Sequence, residues 1–95
     1  VPSYRVTLAV GTLQPGADPA AVLPAAADAA RELATVEAWD VGVVRGQARI
    51  TVRFMADTDG DAHQVAEHVQ DAVDRLADTW GTRVTRRWGN RWHPA

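Results

Sequence analysis

Ten basic side chains stand in this 95-residue chain, and every one is an arginine. A guanidinium is a planar fork of N–H donors that holds carboxylates and phosphates through paired hydrogen bonds, and it keeps its charge at any physiological pH. Arg5, Arg49, Arg53, Arg83 and Arg87 fall at alternating positions in runs where the other positions are mostly apolar. Alternation with a period of two puts such residues on one face of a strand. Near the C-terminus Arg86, Arg91, Trp88 and Trp92 interleave charge with indole rings, a combination suited to stacking on flat anions such as bases. The chemistry on offer is recognition of anions. Arg5, Arg49, Arg53, Arg83, Arg87, Trp88, Arg91 and Trp92 are the candidate binding residues for a polyanion or another partner.

The remaining reactive side chains form no catalytic set. The chain has no Cys, which removes disulfides, thiolate metal sites and thiol catalysis. His63 and Glu67 are one helical turn apart, with His68, Asp71 and Asp74 on the same broad side. That side lies opposite the Val65, Val69 and Leu76 stripe, so it faces water and lacks the partners that orient metal ligands. Asp57, Asp59 and Asp61 imitate the start of a calcium loop. The positions that such a loop needs as glycine and as a closing bidentate acid hold Ala62 and His68. No nucleophile elbow, phosphate loop or dinucleotide fingerprint occurs. The sequence therefore points to no cofactor, no metal and no catalytic residue.

The elements that position the arginines begin with a hairpin, Glu37 to Val44 and Gln47 to Met55. With Arg45-Gly46 as the turn, Val43 faces Ala48, Val41 faces Ile50 and Trp39 faces Val52, while Asp40, Gly42 and Ala38 face Thr51, Arg49 and Arg53. One face is expected to be buried, with Trp39, Val41, Ile50 and Val52 in the core, and the other to be open. Tyr4 to Leu13 alternates as a half-buried strand. Asp18-Pro19 reads as an N-cap and first helical residue, followed by a helix with a kink or late start at Pro24. A second helix is expected from an Asp61-Gln64 capping box through Val65, Val69, Val73, Leu76 and Trp80 to a stop at Gly81. Thr82 to Trp88 is a last strand with Val84 and Trp88 inward, and Gly89-Asn90 turns the tail back through Trp92.

The order is βαββαβ, an α+β fold of the ferredoxin-like type: one domain over residues 1–95, a four-stranded antiparallel sheet ordered 4-1-3-2, and two helices on one face. The other face carries the arginines. Seven acids between Asp57 and Asp78 stand against Arg75 alone, while four arginines and no acid follow from Thr79, so opposite surfaces of opposite sign are expected. The net charge of -2 argues against polyanion binding by bulk attraction. No apolar run approaches the roughly 20 residues of a membrane helix. No basic start precedes an apolar stretch, and the expected location is the cytoplasm.

Leu8-Ala9-Val10-Gly11-Thr12-Leu13 and Arg45-Gly46-Gln47-Ala48-Arg49-Ile50-Thr51-Val52 resemble the first- and third-strand motifs of the RNA-recognition-motif family. Where that family carries the rings that stack bases, this sequence has Ala9, Gln47 and Arg49, so the resemblance implies the framework without its stacking platform. Gln14-Pro15-Gly16 resembles the Pro-Gly turn of small-molecule regulatory domains of the ACT type, with Gln14 where an acid usually stands. Dimeric α+β barrels share the layout and pack their bare faces together. The function expected is a non-enzymatic association module, a homodimer or a binder of another protein. The alternatives are nucleic-acid or other polyanion binding through the Arg face and tail, and an enzyme of the dimeric barrel type with its site between subunits.

Overall fold

The computed structural model describes all residues, Val1–Ala95. In chain order the elements are β1 (Ser3–Leu13), a 3-10 turn (Pro19–Ala21), α1 (Val22–Leu33), β2 (Thr35–Val44), β3 (Gln47–Met55), α2 (Asp59–Asp74), β4 (Ala77–Trp88) and β5 (Arg91–Pro94). The architecture is α+β, with two helices and one antiparallel sheet ordered β2-β3-β1-β4-β5. The expected sheet of four strands is corrected to five. The Gly89-Asn90 turn, with Gly89 at φ 59, folds the tail into a full strand on the β4 edge, where Arg86 faces His93 and Trp88 faces Arg91. Four residues suffice because Ala95 N–H also donates to Val84 O, at 3.0 Å.

Alternation in β1 puts Tyr4, Val6 and Leu8 on the helix side, where they are fully buried, and Arg5 and Thr7 on the other. With Ile50, Val52, Phe54 and Val84 they form the sheet half of one core. The helix half is small: Ala26, Ala29 and Ala30 of α1 and Ala62, Val65, Ala66, Val69 and Val73 of α2. Alanine at the contact lets the helices approach at the short end of the usual 8–10 Å or so. His68 Nε2 lies 2.5 Å from Glu32 Oε2 and ties the outer surfaces of the two helices together. Neither helix is long and apolar enough to cross a membrane.

The hairpin pairs in the register read from its sequence, from Ala38 opposite Arg53 to Val44 opposite Gln47. The burial read from that register is corrected. Ile50 and Val52 are buried, but Trp39 and Val41, on the same face one strand further out, remain 46% and 48% exposed. Two closely packed helices cannot cover five strands about 4.8 Å apart. α1 is also only about 18 Å long, against roughly 33 Å for β2, so the distal hairpin outruns it.

The helix starts follow local rules in part. Asp18 accepts the Ala20 N–H at 2.9 Å with Pro19 next, and the 3-10 turn runs into α1, whose first turn holds Pro24 where no intrahelical donor is missed. For α2 the cap is Thr58, which accepts the Asp61 N–H at 3.0 Å, and the expected Asp61 cap is corrected. The end of α2 is corrected as well. It stops at Asp74, and Ala77 onward pairs with β1, so Trp80 belongs to a strand and not to a helix facing the core. Pairing begins at Leu13–Ala77 and overrides the helical spacing of Leu76 and Trp80. Trp88, expected inward, is 56% exposed because it lies beyond the reach of the helices.

Candidate functional site

Strand pairing assembles the face opposite the helices in rungs. One rung sets Arg53, Arg5 and Thr85 side by side, the next Thr51, Thr7 and Arg83, and the third Arg49, Ala9 and Trp80. The arginines read from alternation do share this face, but they divide into two groups with different surroundings.

The first group serves the fold. Arg5 and Arg53 are directly opposite across β1 and β3, where like charges repel. Trp92 of β5 lies over both, its ring centroid 3.9 Å from the Arg5 guanidinium carbon and 5.4 Å from that of Arg53. Glu37 Oε2 is 3.5 Å from Arg53 Nε, within ion-pair range though without hydrogen-bond geometry, and Ser3 Oγ donates to Glu37 at 2.6 Å. An aromatic face and a carboxylate together offset the two opposed cations. Arg87 is engaged too, donating from Nε to Gly89 O at 2.8 Å and bracing the β4–β5 turn.

The second group is Arg49 and Arg83. Both are exposed and form no ion pair, and they flank a hollow of about 280 Å³ lined also by Thr7, Ala9, Trp80 and Thr82. Trp80 was not among the residues read as anion-binding. A β-bulge brings it here: Trp80 and Arg83 oppose Ala9 and Thr7, three steps against two, with Gly81 at φ 66 absorbing the extra residue. Its indole lies over Gly11, where a Cβ would stand 2.5 Å from the ring.

Trp88 and Arg91, read with the same surface, are placed elsewhere. They share the register side of Val84 and Arg86, toward the helices but beyond their cover. Arg86 lies 4.2 Å from the Trp88 ring centroid and joins a cluster that sequence reasoning missed. The buried Tyr4 donates from its hydroxyl to Asp59 Oδ1 at 2.6 Å, and Arg86 Nη1 lies 3.2 Å from the same oxygen. Burial, then the hydrogen bond to Asp59, pushes the Tyr4 phenol above its ordinary value. Hydrogen bonds from Tyr4 and Arg86 hold the Asp59 carboxyl below its ordinary value. The cluster fastens β1, the start of α2 and β4 through the Asp59 carboxylate, while Arg86 Nε is buried without a partner.

No three His, Asp or Glu side chains converge as a metal-ligand set. His63 Nε2 lies 2.8 Å from Ala95 O and anchors the chain end. A larger hollow of about 390 Å³ between the end of α1 and the start of α2 is lined by Leu33, Met55, Asp57, Asp61 and Gln64, without a cluster of side-chain cations. On the helix side, a groove of about 240 Å³ runs along the exposed hairpin, lined by Val10, Leu13, Leu23, Val41, Ala48 and Ile50. Comparison of the chain with protein-family models, curated proteins and solved structures finds no match.

Proposed function

We propose that this chain is a small non-enzymatic association domain of the ferredoxin-like type, with a fifth strand added, that pairs with a second copy of itself. One observation carries the reading: Trp39, Val41 and Val43 stand 46%, 48% and 73% exposed on the helix side of an edge strand, beside the apolar groove. Contiguous exposed apolar surface of this kind marks contact sites.

A second copy fits this patch better than a charged partner. The groove is lined by no charged residue, and Arg31 is stacked on the Trp39 ring at 4.3 Å, so the patch offers little charge to complement. It holds a projecting stripe and a hollow side by side, and a two-fold axis seats each copy's stripe in the other's groove. Docking by face is favoured over strand addition in that Asp40 Oδ1 already accepts one edge N–H, that of Val41, at 2.8 Å. The polyanion reading is less well supported, since Trp92 and Glu37 cover two of its arginines and leave no continuous basic track. The enzyme reading has no converging acid, base and nucleophile on this chain.

Sedimentation equilibrium tests the proposal. The expected result is a dimer at micromolar to tens of micromolar concentration, shifted to monomer by Val41→Lys with Val43→Lys while the circular dichroism of the fold persists. A monomer at millimolar concentration, or a dimer untouched by the two lysines, overturns it.

A further inference from the structure

We infer that the hollow bounded by Arg49, Arg83 and Trp80 is a binding site for a small carboxylate with a flat aromatic body, on the sheet face opposite the self-association patch. Three observations converge there.

The first is uncompensated charge. Arg49 and Arg83 stand on strands either side of β1, one rung apart, and neither has an acidic partner, unlike Arg53 and Arg86. The nearby carboxylates form no ion pair with either: Asp40 holds the Val41 N–H, Glu37 pairs with Arg53, and Asp78 stands beside Gly11 without an ion pair. Two neighbouring guanidiniums without a counter-charge raise the local potential, and an anion between them relieves it. The second is room. The floor is Ala9 and Thr7, small enough to leave a depression among larger residues, and its volume is at the low end of ligand pockets, roughly 300 Å³.

The third is the ring. Trp80 is held over Gly11 and half exposed at the mouth, which offers a fixed aromatic surface against which a flat ligand ring can stack. The guanidiniums select charge and the indole selects a flat body. A nucleic acid fits less well, because on the Arg5 and Arg53 side of the hollow the basic track is interrupted by Trp92.

Benzoate is the probe, followed by amide and indole N–H shifts in nuclear magnetic resonance, with cyclohexanecarboxylate, inorganic phosphate and an oligothymidylate in parallel. The expected result is saturable binding with a Kd of about 2 mM, on the scale of a nine-heavy-atom ligand at about 0.4 kcal/mol per atom, with shifts confined to Arg49, Arg83, Thr82 and the Trp80 indole. Arg49→Gln and Arg83→Gln each weaken it about tenfold, Trp80→Leu weakens benzoate but not phosphate, and the amide spectrum otherwise stays native. Equal binding of cyclohexanecarboxylate, tighter binding of phosphate or oligothymidylate at these residues, or shifts spread evenly to Arg87 and Arg91 overturns the assignment. Val41→Lys with Val43→Lys is expected to leave benzoate binding unchanged, which separates this site from the dimer.

Discussion

Trp92 stacks over two guanidiniums that the strand register forces opposite each other, and its loss is felt in two ways. Trp92→Ala removes packing area and the offset to the Arg5–Arg53 repulsion, so a destabilisation of about 2 kcal/mol is expected in urea unfolding. Arg5→Gln in that background recovers part of it, and strict additivity in the double-mutant cycle refutes the coupling. The Tyr4–Asp59–Arg86 cluster makes a prediction in pH. Asp59 has a lowered folded-state pKa, so its contribution is present above the unfolded carboxylate value of about 3.9 and is lost as pH falls through the folded value. Tyr4 is raised, so its contribution is present below about 10 and is lost as pH rises through its folded value. Tyr4→Phe should flatten the alkaline limb of the stability profile and bring the Asp59 titration, followed by carboxyl carbon shifts, back toward ordinary. An Asp59 titration unmoved by Tyr4→Phe contradicts the assignment. The arginine face was legible because parity needs no tertiary information. Tyr4 and Asp59 are 55 positions apart, and no local period signals their contact.

At the scale of elements, the hairpin register was readable from which residues match across it, since a one-residue slip would turn Trp39 and Val41 to the arginine side. Its burial was not readable, because burial depends on where α1 lands and how far it reaches. The ends of α2 show the same limit. Thr58 and Asp61 are both good caps three residues apart, and only the structure shows Thr58 accepting the Asp61 N–H. Thr58→Ala is expected to cost about 1 kcal/mol, measured by thermal or urea unfolding, and the opposite order, with Asp61→Ala costing more, argues against the Thr58 cap. At the other end the helical spacing through Trp80 continued past the true stop, since the pairing that claims Ala77 comes from β1, sixty-odd residues upstream. That misplacement also hid Trp80 from the candidate site. The one local signal for it was Gly81, read as a helix stop where it is the glycine of a bulge.

Across the whole molecule, the sheet has two faces and two edges, and each is used differently. One face packs the helices, the other carries paired and unpaired arginines, the β4 edge is closed by the short β5, and the β2 edge is left to solvent. The expected four strands became five because the tail from Arg91 has a free edge to join and a left-handed Gly89 to turn on. That free β2 edge gives the single carboxylate of Asp40 a role in the geometry of growth. Face-to-face pairing about a two-fold axis uses up its own surface and stops at two copies. Strand addition along β2 presents a new edge with every copy added unless the contact is itself two-fold, and it has no built-in end. If the proposed dimer forms, Asp40 weighs against its open-ended alternative by occupying one edge N–H. Asp40→Ala is expected to turn a discrete species into one whose light scattering rises with time and concentration.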